Sequence, residues 1–382
     1  MSEHEQSAPS TQDSALRTQD PKYVRRIAVV RPGQVGDILL AIPGIRALKK
    51  GFPGAEITLI GQRWAFDLPR RFRYIDTVLD YKGFYSSKTP SAKTAQPPPA
   101  GAEQEPQAAE QSSYDLVLQL QGDEPWAASL ALDLKGRFTA GYCRDAQLGG
   151  AFSLRLEMRD DEPEVLRVIR LIEALGIPRD GTQLEFPILP TDIKELESVR
   201  GLAKLLGQRP LLVIHPGARA PAREWPAVRF AELARYAYHD LKATLLLTGG
   251  TAEKALVDTV REMSGVPTFN LAGRLSLGGL AALLHYADLF IGNDSGPAQL
   301  AAAVAPRSLR LFGPANPYRW APLDRVNHRM IYHKVECNPC GYWECPIDHR
   351  CLARVTVEQV LEEAKSLLFS TPEADTQPQR FC

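Results

Sequence analysis

The sequence predicts an α/β protein built from two parallel-sheet domains, and two observations carry that expectation. At 382 residues the chain exceeds what one ordinary hydrophobic core organises. Short, nearly continuous apolar runs also alternate with amphipathic segments of helical length, as in a parallel sheet covered on both faces.

The elements follow in order. "RIAVVR" is a strand and "GDILLAIPGIRALKKGF" a helix; "AEITLIG", "IDTVLDY" and "YDLVLQLQG" are further strands. "DEPEVLRVIRLIEALGI" is an amphipathic helix with acids in its first turn, where the helix dipole favours them. The stretch from about Glu124 to Glu157 shows no clear period. In the second half, strands "PLLVIHPG", "KATLLLTGG", "TFNLAG", "DLFIGND" and "RSLRLFG" alternate with four helices. These are "WPAVRFAELARYAYH", "AEKALVDTVREM", "SLGGLAALLHYA" and "GPAQLAAAVA".

Residues 1–22 and 369–382 read as disordered tails, and the Pro-, Ala- and Gln-rich stretch 86–113 as a disordered insertion. The first domain is expected over 23–190, a linker over 191–207 and the second domain over 208–368. Lys plus Arg and Asp plus Glu number 45 each, which argues against nucleic acid as a partner. No apolar run approaches the roughly 18 residues that span a bilayer. The polar N-terminus lacks the apolar stretch of a signal peptide, so a cytoplasmic protein is expected.

In open parallel sheets ligands bind at the carboxyl ends of the strands, so the loops there carry the site. Asp37 follows the turn that holds Gly33 and Gly36 and opens a helix. It can simply cap that helix. It can also serve as a general base, with the two glycines letting a substrate approach the backbone closely. In "GNDSGPAQLAAA", Asp294 ends a strand, and Ser295, Gly296 and Pro297 open a helix whose free N–H groups suit an anion. Arg219 and Arg223, in "HPGARAPAREW", could clamp a diphosphate. Glu253 starts a helix after "LTGG", placed for a ribose hydroxyl or for the dipole.

Taken in order, these segments resemble glycosyltransferase family 9, the ADP-heptose:lipopolysaccharide heptosyltransferases and their relatives. The resemblance spans about Arg26 to Leu368. It rests on "VRPGQVGDILLAIPGIRALKKGFPGAEIT", "IHPGARAPAREWP", "LTGG", "GNDSGPAQLAAA", "LFGPANPYRWAP" and "CNPCGYWECPIDHRCL". It implies a GT-B fold, two Rossmann-like doubly wound domains facing across a cleft, and inverting sugar transfer with Asp37 as base. The donor implied is a nucleoside-diphosphate sugar, ADP-heptose first, held by Asp294, Ser295, Gly296, Pro297 and Gln299, by Arg219 and Arg223, and at the nucleoside by Glu253. The acceptor implied is a glycan or glycolipid, with peripheral contact at the inner membrane. The acceptor is expected against segments such as Gly122–Trp126 and Arg144–Phe152. No cofactor is required for catalysis.

Two positions depart from the family pattern: Gln299 and Leu40 stand where many relatives carry histidine. A UDP- or GDP-sugar donor, a degenerate nucleotide-binding relative and a scaffold remain alternatives. Cys337, Cys340, Cys345 and Cys351 form C-x2-C-x4-C-x5-C, a candidate structural zinc or iron site.

Overall fold

The computed structural model describes residues 24–84 and 114–369. The tails and the insertion expected from composition lie outside those residues, apart from Phe369, which ends the last helix. The chain divides into two compact units, Met1–Leu184 and Glu185–Cys382.

The first unit carries a sheet of six strands: β1 (Arg26–Val30), β2 (Glu56–Gly61), β3 (Thr77–Asp80), β4 (Leu116–Gln119), β5 (Phe138–Tyr142) and β6 (Leu154–Leu156). They lie in the order β3-β2-β1-β4-β5-β6, every neighbouring pair parallel. The central strands are apolar on both faces, and Ile27 to Val30 are wholly buried. Edge strands β3 and β6 stay partly exposed, as edges must.

The second unit repeats this plan with β7 (Leu211–His215), β8 (Thr244–Leu247), β9 (Phe269–Asn270), β10 (Leu289–Asn293), β11 (Ser308–Phe312) and β12 (His328–Tyr332). Its order, β12-β11-β10-β7-β8-β9, is again all parallel. Within each unit the order reverses once, between β1 and β4 and between β7 and β10. That reversal opens a crevice at the strands' carboxyl ends, where ligands of open α/β sheets sit.

Where the sequence lacked a period, the structure places helix Pro125–Asp133, β5, the short helix Ala146–Gly149 and β6. The Pro125–Asp133 helix is too uniformly apolar, with four buried Ala and Leu residues, to show an amphipathic stripe. The run "TFNLAG" contributes only the two residues of β9. The segment expected as a linker contains helix Pro190–Ser198, which packs on helix Leu277–Tyr286. Beyond the last expected strand come β12 and the amphipathic helix Val357–Phe369, which buries Val360, Leu361 and Ala364. Among the described residues no helix is long and apolar enough to cross a membrane.

Candidate active site

The loop after β1 is built around one carboxylate. Helix Val35–Gly51 starts there, and the backbone N–H of Gln34 donates to Asp37 Oδ2 at 2.7 Å. Asp37 therefore does cap its helix, with one oxygen. The other oxygen, Oδ1, lies 3.6 Å from Arg31 Nη2, and the side chain is 23% exposed. Gln62, at the end of β2, braces the turn by donating to the Pro32 carbonyl at 2.8 Å.

Gly33 also faces Asp37 directly. A Cβ there would stand 2.4 Å from Asp37 Cβ and 2.6 Å from Oδ2, so the missing side chain makes room for the carboxylate itself. Gly36 is buried in the first helical turn. Leu40 is 2% exposed and belongs to the core face of the same helix.

Behind Asp37 lies a buried charge cluster that the sequence did not announce. Arg31, 1% exposed, donates from Nε to the Asp37 carbonyl at 3.1 Å, from Nη1 to the Leu120 carbonyl, and from Nη2 to Glu164 Oε1 at 2.7 Å. Glu164 also accepts from Arg167, whose Nε is 2.9 Å from Oε2 and whose Nη2 reaches Leu120 O at 3.0 Å. Burial opposes the charge of Arg167, but the hydrogen bond and negative charge of Glu164 outweigh it and hold its pKa above the ordinary value. An arginine closing an apolar strand run was the only available signal. Its partner Glu164 is 133 positions away.

In the second unit, Asp294 follows β10 and is almost wholly buried. Its carboxylate lies between two guanidinium groups, with Arg223 Nη1 3.5 Å from Oδ2 and Arg310 Nη1 3.5 Å from Oδ1. Arg223 reaches out from the Pro221–Arg223 turn and is exposed, whereas Arg310 on β11 is buried. Burial pushes the Arg310 pKa down to about 10, with Asp294 pulling the other way, so it stays cationic at neutral pH. Its Nε and Nη2 find no hydrogen-bond partner among the described residues, and neither does the buried Ser295 Oγ. Ser295 thus precedes helix Gly296–Val304 without capping it, and Pro297 fills the first turn. Gln299 is turned inward: its Nε2 donates to the Trp320 carbonyl at 2.7 Å, which Arg310 also holds at 3.0 Å. Arg219 is exposed and makes no ion pair among the described residues.

The loops after β7 and β8 form a neighbouring polar group. Glu253 Oε2 accepts from the Gly250 N–H at 2.6 Å and lies 3.6 Å from His215 Nε2. His215 Nδ1 is 3.2 Å from Thr248 Oγ1, and burial lowers its pKa against the pull of Glu253. Asn293, at the end of β10, ties this group to the Asp294 loop: its Nδ2 donates to Pro216 O at 2.7 Å and its Oδ1 accepts from Trp225 N at 2.9 Å. The structure therefore brings together Asp294, Ser295, Gln299, Arg223 and the unforeseen Arg310, with Glu253 beside His215.

The two segments expected to face the acceptor meet through Arg144, which pairs with Asp123 at 2.8 Å and with Asp160. A pocket of about 830 Å³ lined by Phe186, Ile193, His285 and Val304 lies away from all the foreseen site residues. The candidate zinc or iron site is not assembled. Among the described residues no three His, Cys, Asp or Glu side chains are gathered closely enough to hold a metal ion. The four thiols differ in setting: Cys337 is exposed, Cys351 is buried in the short helix Arg350–Ala353, and Cys345 Sγ accepts from the His349 N–H at 3.3 Å.

The family described as glycosyltransferase family 9 (heptosyltransferase) matches residues 106–350. The chain belongs to glycosyltransferase family 9. It is a glycosyltransferase. Over 90% of its length it is 29% identical to lipooligosaccharide heptosyltransferase 2 of Campylobacter jejuni, covering 98% of that relative. A family 9 glycosyltransferase from Veillonella parvula superposes with a TM-score of 0.70 at 20% identity, over 90% of this chain and 97% of the other. The ADP-heptose LPS heptosyltransferase II of E. coli gives 0.66 at 22% identity, over 90% and 98%. The fold is accordingly GT-B, two Rossmann-like domains with parallel sheets of the same strand order.

Proposed function

We propose that this family 9 chain transfers heptose from ADP-heptose to a lipopolysaccharide-type acceptor with inversion at the anomeric carbon. The observation that supports it most is Asp37. It is a carboxylate at the carboxyl edge of a Rossmann-like sheet, beside the strand-order reversal, with one oxygen tied to the backbone and the side chain still partly open. The C. jejuni relative, named for lipooligosaccharide, and the E. coli enzyme, named for ADP-heptose and LPS, supply the donor and acceptor classes.

Asp37 takes the proton of the acceptor hydroxyl as that oxygen bonds to the anomeric carbon. The bond from that carbon to the diphosphate oxygen breaks through an oxocarbenium-like state, and its electron pair leaves on ADP. In the second domain, Arg223, Arg219 and the Gly296–Val304 helix start stabilise the charge gathering on the diphosphate. Asp294, Ser295, Gly296, Pro297 and Gln299 surround the donor there, and Glu253 lies at the nucleoside. Contact with the inner membrane enters this reading only through a lipid-linked acceptor.

Two measurements test it. ADP should raise the melting temperature while UDP and GDP do not; a ligand at about a hundredfold its dissociation constant adds about 2.7 kcal/mol. Asp37→Asn should abolish transfer and keep the ADP shift. Full activity in Asp37→Asn would remove the base, and a shift with UDP or GDP alone would remove the adenine nucleotide.

A further inference from the structure

Asp37 is contacted twice by one buried side chain, at its carbonyl and beside its carboxylate. We infer that Arg31 is the positioning residue of the transfer reaction, a buried guanidinium that fixes the Asp37 carboxylate for proton abstraction. The inference rests on the reading of Asp37 as the base.

A guanidinium presents several donors in one rigid plane, and Arg31 uses that property. Nε meets the Asp37 carbonyl at 3.1 Å and Nη1 meets Leu120 O. Nη2 lies 2.7 Å from Glu164 and 3.6 Å from Asp37 Oδ1. The first turn of the Asp37 helix is thereby anchored to the loop after β4 and to helix Glu164–Ala174. The Gln34 N–H holds Oδ2 from the opposite side at 2.7 Å. Both carboxylate oxygens thus face a fixed group, and the partly exposed remainder of the side chain is left for the acceptor hydroxyl.

Charge balance points the same way. Arg31 and Arg167 are two buried cations, and Glu164 is one buried anion. Asp37 supplies the fourth charge, so the base completes a quartet whose other members are inaccessible to water. Misplacing a reacting group by even one ångström can cost about a hundredfold in rate, which gives such anchoring a catalytic consequence. Arg167 shares Glu164 and Leu120 with Arg31 but has no contact with Asp37 among the described residues, which makes it the internal control.

The experiment compares Arg31→Lys, Arg31→Met, Arg167→Lys and Asp37→Asn in the full-length protein, reading kcat, both KM values and melting temperature. Arg31→Lys keeps the charge but loses the planar fork, and kcat should fall about tenfold or more with both KM values within about twofold of wild type. Arg31→Met fills a similar volume and leaves Glu164 paired with Arg167, so it carries the same expectation if the lysine variant does not fold. Arg167→Lys, which leaves the Arg31–Asp37 contacts in place, should lower the melting temperature with a smaller kcat loss than Arg31→Lys. Wild-type kcat in either Arg31 variant, or an equal kcat loss in Arg167→Lys, overturns the inference. If either happens while Asp37→Asn is inactive, only the role of Arg31 falls; an active Asp37→Asn removes the base itself.

Discussion

Gly33 shows how a single hydrogen in place of a side chain shapes this site. A methyl group there would press on Asp37 Cβ at 2.4 Å, against a carboxylate already held by the Gln34 N–H, so carboxylate or turn must move. Gly33→Ala should therefore lower kcat by about tenfold to a hundredfold while leaving the ADP-induced rise in melting temperature intact. Steady-state kinetics alongside thermal shift would check it. Gly217 is the counterpart in the second domain, where a Cβ would stand 2.1 Å from Glu253 Oε1. Gly217→Ala should weaken ADP binding about tenfold or more, measured by calorimetry, because Glu253 is pinned by the Gly250 N–H. Gly33 is legible in the sequence as a turn residue, and Gly217 lies unremarked in "HPGARAPAREW". Their real constraint, a facing carboxylate, is a three-dimensional fact. Asp37 had two readings, cap and base; the cap holds for Oδ2, while Oδ1 lies beside Arg31 on a side chain that is still partly exposed, which is compatible with the second.

At the scale of elements, alternating apolar runs and amphipathic segments identified most central strands and their helices, because burial on both faces leaves a continuous apolar signature. The edges were harder: β6 and β9 are short and partly exposed, so tertiary pairing rather than composition makes them strands. Helix Pro190–Ser198 was hidden in a segment of linker-like polarity. It is held by Glu195, which accepts from the Ser276 N–H at 2.6 Å and from its hydroxyl at 2.5 Å, while Ser276 Oγ caps helix Leu277–Tyr286 through the Gly279 N–H at 3.0 Å. Glu195→Ala should cost about 1–2 kcal/mol, the usual cost of losing hydrogen bonds to a charged group and loosening a cap. Chemical denaturation would report it as a lower midpoint at unchanged slope.

For the whole molecule, the buried histidines set an acid limit on stability. Burial lowers the pKa of His215 and of His328, against the pull of Glu253 and Asp324 respectively. Each is favoured neutral in the fold, so its contribution is complete above the unfolded value of about 6.5 and is lost as pH falls through the lower folded value. The melting temperature should decline as pH drops below about 6.5, and a His215→Gln, His328→Gln double variant should decline less steeply just below that pH. Local order along the chain determined the alternation of strands and helices, the doubling of the sheet plan and the placing of Asp37 in the helical turn after β1 and of Asp294 just after β10. Periodicity and turn chemistry act over a few residues, and a sequence displays them directly. The surroundings of those carboxylates were decided by tertiary structure alone. Arg31 meets Glu164 across 133 positions, Asp294 lies between Arg223 and Arg310, and the clustered cysteines are left without a metal-binding arrangement. Such partnerships depend on which strands become neighbours, and parallel sheets join segments that no local pattern connects.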